Sequence, residues 1–111
     1  MSAPAKSMVH GRGEFKFASH VAVGDSSPIK TYGWSDMNVQ VWGVTTAVVE
    51  VRGRLNESAP WEVLATFTNS NGRTRIDGSF VELQVAITSW TAGTIYAVVA
   101  GIDLVNLLAG H

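Results

Sequence analysis

Cysteine is absent from these 111 residues. With no thiol there is no disulfide staple and no thiolate metal site, so apolar burial must hold the fold together. Charge is scarce too. Asp, Glu, Lys and Arg make up 15% of the chain, well below the roughly 25% of an average soluble domain. The net charge of −1 argues against a free-standing nucleic-acid binder, which carries a basic excess. Long hydrophobic runs are missing as well. Apolar stretches such as residues 96–100 and 107–109 are far too short to cross a bilayer, and the opening MSAPAKSM lacks the apolar centre of a signal peptide. No membrane partner and no secretory route are expected. Finally, no apolar stripe with a 3.6-residue period appears before residue 102, which excludes a helical architecture.

What is present is a hydrophobic fraction of 46%. A chain of this size buries about two-thirds of its surface, which is enough for one core and one domain. The apolar residues alternate. In residues 14–23, Phe15, Phe17, Val21 and Val23 share one parity. In residues 37–42, Met37, Val39 and Val41 stand against Asn38, Gln40 and Trp42. Residues 46–55 set Val49, Val51, Gly53 and Leu55 against Glu50, Arg52 and Arg54. Residues 61–68 are β-branched and aromatic, and 79–88 carry Val81, Leu83, Val85 and Ile87 on one side. Residues 94–101 form a last Tyr/Val-rich segment. Period-two alternation puts each set on one face of a sheet. Turn clusters fall between the segments, at 24–28, 32–36, 56–60 and 90–93. Asn69-Ser70-Asn71-Gly72 is the strongest of them, because Asn-Gly favours the positive φ of a hairpin turn. The expectation is an all-β antiparallel sandwich or jelly roll of about six to eight strands. Residues 14–101 form its body, 1–13 an extended N-terminal arm and 102–111 a short apolar tail. Val49, Val51, Val81, Leu83, Val85 and Ile87 are expected to face the core.

Catalytic constellations are weak. The chain has three histidines. His10 and His20 lie about 33 Å apart along an extended strand and cannot share a metal ion. Asp25-Ser26-Ser27 follows His20 but lacks the glycine pattern of a nucleophile elbow. His10-Gly11-Arg12-Gly13 has neither the spacing of a phosphate loop nor a helix after it. No catalytic residue, metal or cofactor is expected.

Arginine and tryptophan carry more. Arg52 with Arg54, and Arg73 with Arg75, repeat an i, i+2 spacing. Either they form solvated faces with Glu50, Asp77 and Glu82 as cross-strand partners, or they make a docking patch. Among the four tryptophans, Trp42 and Trp61 sit inside strands and are expected in the core or at its rim. Trp34 and Trp90 sit in turn regions, where they either plug the sandwich ends or offer stacking surfaces.

From residue 39 to 101 the chain resembles a family of small β-sandwich structural proteins of tailed bacteriophages. The resemblance rests on Val49-Glu50-Val51-Arg52-Gly53, Trp61-Glu62-Val63-Leu64, Phe80-Val81-Glu82-Leu83 and Thr88-Ser89-Trp90-Thr91-Ala92-Gly93-Thr94. The loop 56–60 replaces the Asn-Asp-Gly loop common in that family. The resemblance implies a virion component assembled in the host cytoplasm. It would be a capsid cement or decoration protein, or a related head or tail accessory, often trimeric, with the major capsid protein or another virion protein as partner. Nucleic acid is not an expected partner. On this reading, Lys6, Met8, Val9, His10 and Arg12 of the arm, with Leu104, Leu107 and Leu108 of the tail, reach neighbouring subunits. The rival expectation is a carbohydrate-binding sandwich that stacks sugars on Trp34 and Trp90. A cement protein should be an oligomer, a sugar module a monomer.

Overall fold

The computed structural model describes residues 10–103. They form seven strands and no helix: β1 (His10–Glu14), β2 (Gly24–Asp25), β3 (Ile29–Lys30), β4 (Trp34–Arg54), β5 (Glu62–Thr68), β6 (Gly72–Ile76) and β7 (Glu82–Asp103). All pairings are antiparallel. The all-β antiparallel expectation is borne out, with a strand count inside the expected range.

Two strands dominate. β4 has 21 residues and β7 has 22, and they pair from Trp34 opposite Asp103 to Arg54 opposite Glu82. Alternation in the sequence divides each of them in two, at 43–45 and at 90–93. The chain instead runs straight through both places as bulges, with the register slipping repeatedly between Trp42 and Ala47. Gly43 and Gly93 have φ of 80° and 116°. A Cβ on Gly43 would stand 1.8 Å from the Thr94 carbonyl oxygen, and one on Gly93 would stand 2.4 Å from the Gly43 oxygen. The two backbones therefore meet where only glycine fits, and the turn signals encode a bend rather than a reversal.

The bend folds the ribbon over. A straight 21-residue strand would measure about 70 Å, yet the longest dimension of the protein is 53 Å. Lys30 pairs with Glu82 at one end of β7, and Trp34 pairs with Asp103 at the other. Residues 31–33 thus bridge the two ends of β7, a reach of at most about 14 Å. Thr31 fastens the crossing: its amide donates to Val81 O at 2.8 Å and its hydroxyl to Phe80 O at 2.8 Å. The result is a sandwich made from one hydrogen-bonded sheet whose halves share a core.

The remaining strands line the edges of the ribbon. β1, β2 and β3 run along β7, while β5 and β6 run end to end along β4. Thr68 pairs with Val48 and Gly72 with Val41, so Asn69-Ser70-Asn71-Gly72 does not reverse the chain. It cuts across the inside of the bend in β4. There Asn69 Oδ1 accepts the Ala47 amide at 3.0 Å and Asn71 Oδ1 accepts the Val44 amide at 2.8 Å. These are backbone donors that the ladder skips, and the asparagines satisfy them. Asn69 takes φ 54°, which asparagine tolerates better than most residues.

Parity decides the core. Met37, Val39, Val41, Val49 and Val51 of β4, with Leu83, Val85, Ile87, Ile95, Ala97 and Val99 of β7, are essentially inaccessible. Phe15 and Phe80 close the core from the loops. Val81 precedes β7 and is only half-buried. The expected strand at 14–23 is corrected: β1 ends at Glu14, and Val21 and Val23 are exposed. The edge strand lies earlier, in residues first read as arm. It pairs His10 with Ile102 and Glu14 with Val98. Gly11 makes this possible, because a Cβ there would stand 2.5 Å from the Trp34 ring. Ile102 and Asp103 likewise belong to β7 rather than to a tail. Lys6, Met8, Val9, Leu104, Leu107 and Leu108 lie outside the described residues.

Candidate functional site

The four arginines do not converge. On the side of the sheet away from the core, Arg52 and Arg54 sit near the end of β4. Arg73 and Arg75 pair with Gln40 and Asn38 near its start. Arg52 donates to Glu50 Oε1 from Nε (3.0 Å) and Nη2 (2.8 Å), with Asp25 at 3.6 Å. Arg54 holds Glu82 Oε1 from Nε (2.8 Å) and Nη2 (2.6 Å) and lies 4.2 Å over the Trp61 ring. Arg75 reaches Asp36 at 3.2 Å and Asp77 at 3.8 Å. Of the three expected carboxylates, only Glu82 meets its arginine across strands; Glu50 meets Arg52 along β4, and Asp77 meets Arg75 two residues on. Among the described residues, Arg73 forms no ion pair.

The tryptophans exchange roles. Trp34 and Trp90 are half-buried and packed against the core, and the Trp90 indole N–H donates to Gly93 O at 2.9 Å. Part of each ring therefore faces the core and part stays accessible. Trp61 is half-buried beneath Arg54. Trp42, expected in the core or at its rim, is 39% exposed on the outer side. Its parity, shared with Asn38 and Gln40, carried that signal.

Trp42 ends a row of four rings. It stacks on Tyr96 of β7 with centroids 5.5 Å apart and planes 20° apart. Tyr96 lies 4.7 Å from the His20 ring, and Phe17 meets His20 edge-on at 5.6 Å. His20 Nδ1 lies 2.7 Å from Ile95 O, and its carbonyl accepts the Ile95 amide at 2.9 Å. The row is thus pinned to the backbone of β7. On the β6 side of Trp42 opens a cleft of about 420 Å³, lined by Gln40, Val41, Trp42, Asn71, Gly72 and Arg73. A second groove, of about 410 Å³, lies where the ribbon ends meet, between Tyr32, Trp34, Leu55 and Phe80.

Ser26 and His20 are tied to different backbone groups. Ser26 Oγ donates to Ser27 O at 3.1 Å and accepts the Val85 amide at 3.0 Å. Among the described residues no group of three His, Asp or Glu is placed to hold a metal ion, and no helix is long and apolar enough to cross a membrane.

The outer side of the β1-β7-β4-β6 half has an uncharged middle and charged edges. Its central strand presents Tyr96, Val98, Ala100 and Ile102. Asn38 and Gln40 of β4 flank them on one side, and Arg12 and Glu14 of β1 on the other.

No family model and no curated protein matches the sequence. Among solved structures, the chain is similar to the SPBc2 prophage-derived protein YomS at 10% identity and a TM-score of 0.62, covering 89% of this chain and 99% of that one. PirA aligns over 91% of this chain and 99% of its own at 12% identity, with a TM-score of 0.39, too low to bear on the architecture. The likeness to YomS shows a shared fold.

Proposed function

We propose that the protein is a non-enzymatic structural component of a tailed-phage particle, a capsid cement or decoration protein that self-associates and clamps neighbouring shell subunits. The observation that carries this reading is the outer side of the β1-β7-β4-β6 half. A sheet face left in water ordinarily alternates to polar residues. Here the middle strand offers Tyr96, Val98, Ala100 and Ile102, with the neutral amides Asn38 and Gln40 on one side and Arg12 and Glu14 on the other. Such a surface loses little by desolvation and gains by burial against protein. The motif resemblance to tailed-phage sandwich proteins and the prophage origin of YomS support the same context.

Clamping on a lattice does not need one strong contact. A standard interface buries about 1,600 Å², and several weaker ones multiply when a multimer binds a repeating shell. His10 and Asp103 lie on neighbouring strands at one end of the sheet. A trimer is the favoured multimer.

Light scattering tests the first half of the reading. A multimer is expected, and Val98→Glu with Ala100→Glu should return it to monomer while leaving the melting transition in place. A wild-type monomer across micromolar concentrations overturns self-association. Removing residues 2–9, which spares β1, should weaken binding to empty shells at least tenfold, a loss of about 1.4 kcal/mol. Unchanged occupancy would place the clamp elsewhere.

A further inference from the structure

The four-ring row ends on a ring with an open side. Tyr96 covers Trp42 from the β7 side, whereas the cleft of about 420 Å³ opens on the β6 side. Three side chains with free hydrogen-bonding capacity border that cleft. Gln40 is exposed and directly opposite Arg73. Asn71 has its Oδ1 engaged by the Val44 amide, so its NH2 is left to donate. Among the described residues Arg73 has no acidic partner, although Arg75, two positions on, has two. A rigid aromatic face, two amides and one unpaired guanidinium thus surround a space large enough for one six-membered ring.

We infer that this cleft is a binding subsite for an acidic saccharide, with the sugar ring stacked on Trp42 and its carboxylate on Arg73. A pyranose ring has an apolar C–H face and a rim of hydroxyls, which matches an exposed indole bordered by amide donors and acceptors. Arginine adds a planar fork suited to a carboxylate. A nucleobase would also stack, but single-strand binding needs a run of positive charge along the backbone. Among the described residues this face supplies two arginines without an acidic partner, Arg73 on β6 and Arg12 on β1, with β4 and β7 between them rather than a continuous run, in a chain of net charge −1. The site is ready-made. His20 and Tyr96 brace Trp42 from behind, and the Val44 amide fixes Asn71, so little side-chain freedom remains to be lost on binding. The inference does not depend on the proposed virion role.

The test is titration of the full chain, followed by tryptophan fluorescence and by the indole N–H resonances in 1H–15N spectra. The probes are an oligosaccharide of alternating glucuronic acid and N-acetylglucosamine, a neutral cello-oligosaccharide and an oligothymidylate. The acidic sugar should give a saturable shift confined to the Trp42 indole, with a Kd below about 1 mM. Trp42→Ala should abolish it, and Arg73→Gln should weaken it at least tenfold while the melting temperature stays put. If Trp42→Ala does not fold, Arg73→Gln and the resonance assignment still decide the question. No saturable shift, equal binding of the neutral sugar, a response only to oligothymidylate, or full binding by Arg73→Gln would each overturn the proposal. Because the readout is sugar binding at Trp42 and not the state of association, failure here leaves the oligomer test untouched.

Discussion

The two arginine pairs share a spacing and little else. Arg52 and Arg54 lie where β2, β3 and β5 flank the long ribbon, and each is locked onto a carboxylate, with side chains 22% and 20% exposed. Arg73 and Arg75 lie where β1 and β6 flank it, at the rim of the stripe Tyr96, Val98, Ala100 and Ile102, and Arg73 has no acidic partner among the described residues. One half of the outer surface closes its charges among its own strands, and the other leaves donors, an indole and an apolar stripe open. The contacts proposed above belong to the second half. A protein that invests its few charges in internal pairs at one end keeps the opposite face available for contact.

The sharpest way to break this contrast is to break the joint between the halves. Gly43→Ala should abolish cooperative folding or lower stability by more than about 4 kcal/mol, because the new Cβ would overlap the Thr94 carbonyl. A thermal melt within a few degrees of the parent would refute that. Next comes the closed half. Glu82→Ala strands Arg54, whose partner carboxylate is only 7% exposed, so a loss of roughly 3 kcal/mol in chemical denaturation is expected. An unchanged midpoint would mean that the stack over Trp61 alone holds Arg54. At the bend itself, Asn69→Ala should cost about 1–2 kcal/mol, since it leaves the Ala47 amide without its acceptor. Loss of amide-exchange protection at Ala47 is the diagnostic. Smallest of all is Arg73→Gln in the open half, where stability should move by less than about 0.5 kcal/mol. A large destabilisation would show Arg73 to be structural and erase the contrast.

Much of the fold was legible because strand alternation is a local property. The parity of Met37, Val39 and Val41, and of Leu83, Val85 and Ile87, follows from neighbouring residues alone, and burial obeys it. Trp42 could have been placed by the same rule, since it shares parity with Asn38 and Gln40. Its place inside a strand suggested the core, but parity decides the face, because a one-residue slip would have exposed the whole ladder. The first strand was misplaced for the opposite reason. His10-Gly11-Arg12-Gly13 has no alternation to read. It pairs because β7 offers an edge and because Trp34 needs the space that Gly11 leaves empty.

The sequence by itself determined that this chain builds an antiparallel sheet and which parity of its long strands lines the core. Whether Gly43, Gly93 and Asn69 turn the chain back or only bend it was decided by the tertiary structure. A positive φ permits either outcome, and the choice depends on which edge the following residues find. The same pairing decided that Arg54 meets Glu82 while Arg73 meets no carboxylate, and that four rings from residues 17, 20, 42 and 96 stand in one row. Those neighbours are set by register between distant strands, which no local pattern encodes.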